Sequence, residues 1–213
     1  MIQPDIIRAL VFDLDGTLYV SSSFEEAVWK SVSRYTAELF GCSPDEAGDR
    51  LHTHRDELTA ARGTVQTIAA AIESIGGSIQ EMHHRFATDI EPTEHMAATP
   101  EVTALMDALK GRYTSWLLTN NNTTLTGKIL EHLQLETAFH RVITVNDSWR
   151  PKPNQDLLSD ILAALALPPE QILFVGDRYD IDLRLPAAAG CQVHLTKTVE
   201  ELLALGRQLL PQR

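Results

Sequence analysis

Acidic residues stand at the ends of two short apolar segments of this sequence. Asp13 and Asp15 close one segment near the N-terminus, and Asp177 and Asp182 follow another near the C-terminus. Asp13 and Asp15 are two residues apart, so their side chains share one face of an extended chain. Converging carboxylates repel one another unless a cation or raised pKa values compensate. Because oxygen-only ligation favours a hard cation, these acids predict a magnesium site.

A lysine and neutral hydrogen-bonding groups accompany these acids at other segment ends. Lys152 lies between two prolines and would supply a fixed positive charge. Thr119 offers a hydroxyl, and Asn120 offers an amide and a backbone N–H. Carboxylates, a metal ion, a lysine and neutral donors together suit the transfer of a phosphoryl group between oxygen atoms.

Short apolar strands alternate with helical segments in the second half of the chain. The predicted strands are Ile7–Leu14, Thr114–Thr119, Arg141–Val145, Ile172–Gly176 and Gln192–Thr196, and the predicted helices are Thr123–Leu133, Asn154–Ala166 and Val199–Leu210. This alternation implies parallel βαβ units and one sheet covered on both faces. The carboxyl ends of such strands face the ligand crevice, so the polar residues that follow them are expected to meet there.

A purely helical pattern interrupts this alternation after the first strand. Its predicted helices are Phe24–Phe40, Pro44–Arg62, Val65–Ile75 and Ile79–Ile90. We therefore predict an α/β fold with a Rossmann-like parallel-sheet core and an α-helical cap inserted after the first strand. The core domain would comprise residues 1–19 and 96–213, and the cap domain residues 20–95.

Composition excludes several classes of protein. The chain has 213 residues and a net charge of −11, which argues against a broad surface for nucleic acid or anionic membranes. No apolar run approaches the roughly 18 residues of a membrane span, and no signal peptide is expected at the N-terminus. Two cysteines distant in sequence form no disulfide framework, which fits a cytoplasmic location.

Four short motifs resemble those of the haloacid dehalogenase-like (HAD) hydrolase superfamily. They are VFDLDGTLY, LLTNN, the lysine of PKP and FVGDRYDID, and they bracket residues 11 to 190. The helical insertion resembles the cap of the branch that contains phosphoglycolate phosphatase, phosphoglucomutase and nucleotidase-like members.

The resemblance implies a role for each motif residue. Asp13 would be the nucleophile that forms an aspartyl-phosphate, and Asp15 the general acid and base. Thr119, Asn120 and Lys152 would bind the phosphoryl group, with Lys152 offsetting its negative charge.

The resemblance also implies the metal ligands. Magnesium would be held by Asp13, by the backbone carbonyl of Asp15 and by Asp177, while Asp182 would act from outside the direct ligands or through water. An acid at position 15 also points to phosphatases and phosphomutases, because relatives that cleave carbon–halogen bonds lack it.

These residues support three functional hypotheses. The first is a magnesium-dependent phosphatase acting on a small phosphorylated metabolite. The second is a phosphomutase of the beta-phosphoglucomutase type, which would use the same catalytic residues. The third is a non-catalytic module that binds a phosphometabolite on the same fold. A nucleophile and acid pair, Asp13 and Asp15, is unnecessary for binding alone and therefore argues against the third.

Other residues have a structural and a functional interpretation. Arg55, Arg62 and Arg85 in the predicted cap are candidates to bind a second anionic group, although arginines on helices are usually solvated. Tyr19 and Ser21–Ser23 lie where the chain would leave for the cap, so they are candidates for a hinge.

Overall fold

The computed structural model describes residues 2–210, which divide into two compact units. The first, here called the α/β unit, comprises residues 2–20 and 97–210. The second, here called the helical unit, comprises residues 21–96 and is inserted between the first two strands of the α/β unit. Within residues 2–210, no helix has both the length and the apolar character needed to cross a membrane.

One parallel sheet forms the centre of the α/β unit. Its strands are β1 (Ala9–Phe12), β2 (Thr114–Leu118), β3 (Arg141–Ile143), β4 (Ile172–Gly176) and β5 (Gln192–Leu195). The spatial order is β3-β2-β1-β4-β5, so β1 lies between β2 and β4. In register, Phe12 of β1 lies opposite Leu117 of β2 and Val175 of β4. β1 and β4 are buried along their whole length, which explains their continuously apolar sequences.

The helical unit contains four α-helices. They are α1 (Ser22–Phe40), α2 (Pro44–Arg62), α3 (Ile68–Ser74) and α4 (Ile79–Asp89). A hydroxyl side chain accepts a hydrogen bond from the first turn of each helix, and these caps are Ser21, Ser43, Thr67 and Ser78. α1 and α2 end at Gly41 and Gly63, whose left-handed backbone conformation favours glycine.

Five more α-helices belong to the α/β unit. They are α5 (Pro100–Lys110), α6 (Thr123–His132), α7 (Gln155–Leu165), α8 (Arg184–Ala188) and α9 (Val199–Leu209). Leu157, Leu158 and Ile161 of α7 pack in one apolar cluster with Val11 of β1 and Phe174 of β4. This packing holds α7 against the sheet, and it thereby fixes the end of the loop that leads into α7.

The predicted α/β fold, with a helical insertion after the first strand, is confirmed. The first strand is shorter than the predicted Ile7–Leu14, because Leu14 already begins a turn in which Leu18 N–H donates to its carbonyl at 3.0 Å. α5 was absent from the predicted helices. The buried residues on one face of this helix show the spacing that could have revealed it: Val102, Leu105, Met106 and Leu109.

Candidate active site

Three neighbouring strands end at the same edge of the sheet and deliver polar residues there. Asp13 directly follows β1, Thr119 directly follows β2, and Asp177 directly follows β4. Asp13 stays joined to the sheet, because its N–H donates to the carbonyl of Val175 at 2.9 Å. The loop before α7 adds Lys152 to this group.

A buried lysine lies between two carboxylates. Lys152 Nζ is 2.5 Å from Asp13 Oδ1 and 2.7 Å from Asp182 Oδ1. The three residues are only 5%, 4% and 6% exposed, in the order Lys152, Asp13 and Asp182. The Thr17 hydroxyl donates to the other oxygen of Asp13 at 3.2 Å. Asp13 is therefore fixed through both of its oxygens.

Burial and charge set the protonation of this cluster. Burial raises the pKa of Asp13 to about 7, with Lys152 opposing the rise and Asp182 and Asp15 adding to it. Burial alone would lower the pKa of Lys152, but Asp13 and Asp182 outweigh it and raise that pKa above its usual value. The lysine therefore stays positively charged at neutral pH.

A π-helix (Tyr179–Leu183) brings Asp182 to the lysine. Asp182 Oδ2 accepts a hydrogen bond from the backbone N–H of Arg178 at 3.1 Å, which fixes the carboxylate across this turn. Gly176 is required beneath it, because a Cβ at this position would lie 2.5 Å from the Cβ of Asp182. The turn thus places an acid five residues beyond Asp177 inside the buried cluster.

Asp177 has the environment of a cation ligand. Its Oδ1 atom is buried and accepts no hydrogen bond within residues 2–210, although Arg178 Nε lies 3.6 Å away. Burial raises the pKa of Asp177 to about 6, with Arg178 opposing and Asp182 adding to the rise. Gly16 approaches so closely that a Cβ there would lie 2.5 Å from Asp177 Oδ2.

A divalent cation fits this set of oxygen atoms. One carboxylate oxygen from each of Asp13, Asp177 and Asp182 lies within 4.8 Å of the others. With Lys152 charged, the three acids leave a net negative charge that burial makes costly. Asp177 Oδ1 accepts no hydrogen bond within the described residues and lies 3.6 Å from Arg178 Nε, so it keeps an acceptor position for such a cation.

Asp15 lies in a different environment from Asp13. It accepts hydrogen bonds from the Tyr19 hydroxyl and from the Asn121 amide, the latter at 2.8 Å to Oδ2 and 3.0 Å to Oδ1. The Thr119 hydroxyl is 3.5 Å from Oδ2. Burial raises the pKa of Asp15, and the hydrogen bond from Tyr19 opposes that rise. The two aspartates of the first motif are therefore held by chemically different partners.

The Asn120 side chain contacts the backbone of Lys152. Its Oδ1 accepts the Lys152 N–H at 2.7 Å, and its Nδ2 donates to the Lys152 carbonyl at 3.0 Å. The side chain that was expected to offer its amide to a phosphoryl group thus joins the loop after β2 to the loop before α7.

Comparison with known proteins identifies the family. The sequence profile of haloacid dehalogenase-like hydrolases matches residues 7–190. The chain belongs to the HAD-like hydrolase family.

Two relatives of this HAD-like chain are phosphatases. The phosphoglycolate phosphatase of Salmonella typhimurium is 30% identical, and the alignment covers 87% of this chain and 79% of the relative. The glyceraldehyde 3-phosphate phosphatase of Methanopyrus kandleri is 25% identical, with 87% and 82% covered. The family and these relatives together identify the chain as a phosphatase.

A solved HAD structure shares the fold. The HAD-hydrolase YfnB from Bacillus subtilis, solved with bound magnesium, superposes with a TM-score of 0.60 at 17% sequence identity. The superposition covers 93% of this chain and 98% of YfnB.

Sequence reasoning missed Thr17, whose hydroxyl contacts Asp13, and three further residues of this HAD site. Tyr19 was a hinge candidate, but its hydroxyl contacts Asp15. Asn121 was not among the predicted site residues, yet its amide also contacts Asp15. Arg178, which directly follows Asp177, received no role. The available signal was position, because each of the three lies within four residues of a motif aspartate or threonine.

The candidate arginines of the helical unit have partners within that unit. Arg85 donates two hydrogen bonds to Glu38, at 2.7 and 2.8 Å, and one to Glu81 at 2.9 Å. Arg55 and Arg62 also contact side chains of their own unit. These contacts account for Arg85 as a link between α1 and α4.

Proposed function

We propose that this HAD-family phosphatase hydrolyses a small phosphorylated metabolite with magnesium, through an aspartyl-phosphate on Asp13. The observation that carries the proposal is the contrast between two carboxyls of one motif. Asp13 is buried against Lys152, whereas Asp15 is held by neutral donors. Paired carboxyl groups in different environments suit two roles, a nucleophile and a proton donor.

The first half of the reaction transfers the phosphoryl group to the enzyme. A carboxylate oxygen of Asp13 attacks phosphorus, and the bond from phosphorus to the alcohol oxygen breaks. Asp15 gives its proton to that oxygen, so the alcohol leaves neutral. Lys152 stays between Asp13 and Asp182, where its charge offsets the negative charge of the transferred group.

The second half returns the enzyme to its starting state. Asp15, now a carboxylate, takes a proton from water as the water oxygen attacks phosphorus. The bond from phosphorus to Asp13 breaks, which releases inorganic phosphate and restores the Asp13 carboxylate. Asp15 ends protonated, so protons balance over one turnover.

Magnesium would be held by Asp13, Asp177 and the backbone carbonyl of Asp15, with Asp182 acting from outside the direct ligands. When bound, it neutralises charge on the phosphoryl oxygens. The fit of this cation rests on the three converging carboxylates and on Asp177 Oδ1, which is buried and accepts no hydrogen bond within the described residues.

The substrate is inferred to be small and phosphorylated because the two phosphatase relatives are named for phosphoglycolate and glyceraldehyde 3-phosphate. These compounds are the first members of a test panel, followed by sugar phosphates and nucleoside monophosphates.

The helical unit is part of the same proposal. We infer that residues 20–95 form the cap domain of the enzyme and residues 1–19 with 96–213 its core domain. Hydrogen exchange of α1–α4 with and without a substrate tests this assignment, because a cap that takes part in binding changes its protection. Unchanged exchange throughout α1–α4 would count against it.

The test of the function is phosphate release from this panel, with magnesium and with chelator. Asp13→Asn removes the nucleophile and is expected to lower turnover by at least about a thousandfold. Asp156→Asn is the matched control, because Asp156 is an exposed acid on α7 of the same unit. Full activity of Asp13→Asn would overturn the covalent mechanism. Full activity in chelator would show that the reaction does not require magnesium.

Two other outcomes would replace hydrolysis with another function. Bisphosphate-activated isomerisation of a hexose phosphate without phosphate release would indicate a phosphomutase. Saturable binding of a panel member without any turnover would indicate a binding module.

A further inference from the structure

Neutral donors surround the carboxyl group of Asp15. The Tyr19 hydroxyl donates to Oδ1, and the Asn121 amide lies 2.8 Å from Oδ2 and 3.0 Å from Oδ1. Tyr19 and Asn121 are both buried. Each oxygen of the carboxyl group therefore has a donor, and Asn121 spans both oxygens.

The backbone around each donor is itself fixed. Tyr19 lies four residues after Asp15 and forms a β-bridge with it, so the turn between them is closed. Asn121 N–H donates to the Thr119 hydroxyl at 3.0 Å, and the Asn121 carbonyl accepts from Val145 N–H at 3.0 Å. Asn121, in the loop after β2, is thus hydrogen-bonded within its own loop and to the segment that follows β3. Donors held in this way impose an orientation on the group they contact.

Tyr19 and Asn121 contact the carboxyl group that is proposed to transfer protons, and not the one that is proposed to bind the phosphoryl group. Asp13, the proposed nucleophile, contacts Lys152 and Thr17, and neither Tyr19 nor Asn121 is among its hydrogen-bond partners in the described residues. The donors act on the carboxyl that gives and takes protons. A proton donor is effective only when it lies within hydrogen-bonding reach of the leaving oxygen.

We propose that Tyr19 and Asn121 are positioning residues that hold the Asp15 carboxyl in the orientation from which it protonates the leaving alcohol. The proposal rests on the phosphatase function argued above. If the proposal is right, the rate lost on removing either donor depends on the leaving group of the substrate. An alkyl alcohol needs a proton as it departs, whereas p-nitrophenol departs as a stable anion without one.

The test compares two substrates in one variant. Tyr19→Phe keeps the aromatic ring and removes only the hydroxyl. We expect kcat/KM for an alkyl phosphate such as glycerol phosphate to fall about 10- to 100-fold, a part of the 10²–10⁴-fold that a general acid contributes. For p-nitrophenyl phosphate, with saturating magnesium, the expected loss in the first half-reaction is under about threefold. Single-turnover kinetics isolate this half-reaction from the later attack of water.

Tyr113→Phe is the matched control. Tyr113 is 5% exposed against 4% for Tyr19, and its hydroxyl donates to the Leu209 carbonyl at 2.7 Å. It also lies in the α/β unit, just before β2. This variant loses a buried tyrosine hydrogen bond of the same kind, so the ratio of the two substrates should stay as in the parent protein.

The outcomes separate the proposal from the function on which it rests. Equal losses on both substrates, or none on either, would overturn the positioning role of Tyr19. Asn121→Ala, measured in the same way, provides a second variant with the same expected selectivity if Tyr19→Phe fails to fold. A parent protein that releases phosphate neither from p-nitrophenyl phosphate nor from any member of the panel would instead overturn the phosphatase function itself, and the positioning role with it.

Discussion

Replacing Lys152 with methionine would remove the cation between two buried carboxylates. Lys152 Nζ is 2.5 Å from Asp13 and 2.7 Å from Asp182, and all three side chains are almost fully buried. Methionine has nearly the same length, so the apolar part of the side chain still fills its place. The variant therefore isolates the loss of charge from the loss of packing.

The expected loss is large because two negative groups would stay in the interior without their partner. Removing one member of a buried ion pair costs about 3–5 kcal/mol of unfolding free energy. We expect a loss of about that size for Lys152→Met in the presence of chelator. Adding Asp13→Asn to the same chain removes one of the two carboxylates that have lost their cation. The double variant should therefore recover at least about 1 kcal/mol of unfolding free energy.

Hydrogen exchange along a urea series measures this loss. The amides of β1 and β4 report the opening of the α/β unit, independently of the helical unit. Arg150→Met is the control, since Arg150 Nη2 lies 2.5 Å from Asp160 in the same unit but the two side chains are 35% and 64% exposed. An exposed pair at this distance contributes little, so the control should leave the exchange of β1 and β4 unchanged.

One result would refute this reasoning about Lys152. If Lys152→Met lost less than about 1 kcal/mol in chelator, the buried carboxylates would have to be protonated or relaxed without cost. The same result would remove the electrostatic argument for a cation among Asp13, Asp177 and Asp182.

Two further predictions concern a glycine and a buried histidine. Gly16→Ala would place a Cβ 2.5 Å from Asp177 Oδ2 and should weaken magnesium binding, measured by calorimetry, about tenfold or more; Gly63→Ala, also at positive φ but with nothing within 4 Å, should leave it unchanged. Burial lowers the pKa of His83 from 6.5 to about 4, so between these pH values the unfolded chain binds more protons than the native one. The stability of the helical unit should therefore fall by about 3 kcal/mol as the pH falls through this window. Thermal unfolding of His83→Leu should show a flatter pH dependence, and an unchanged slope would contradict the assignment.

Local patterns predicted most elements of the fold, but not α5 or α8. The predicted bounds Pro44–Arg62 and Ile172–Gly176 coincide with α2 and β4. Helix caps and apolar runs are recognised from residues that are adjacent in the sequence. Local sequence patterns also predicted that Asp13 and Asp177 lie at the ends of strands. They did not predict the sheet order, in which β1 lies between two strands that follow it by more than a hundred residues in the chain.

Partners distant in the sequence decided how each candidate residue is used. The sequence by itself determined the residue types at the strand ends, and hence the chemistry available at this edge of the sheet. Only the tertiary structure decided that Asp13 faces Lys152, 139 residues away, while Asp15 faces Asn121, 106 residues away. The physical reason is that hydrogen bonds and ion pairs form between groups that the packed sheet brings within about 3 Å, whatever their separation along the chain.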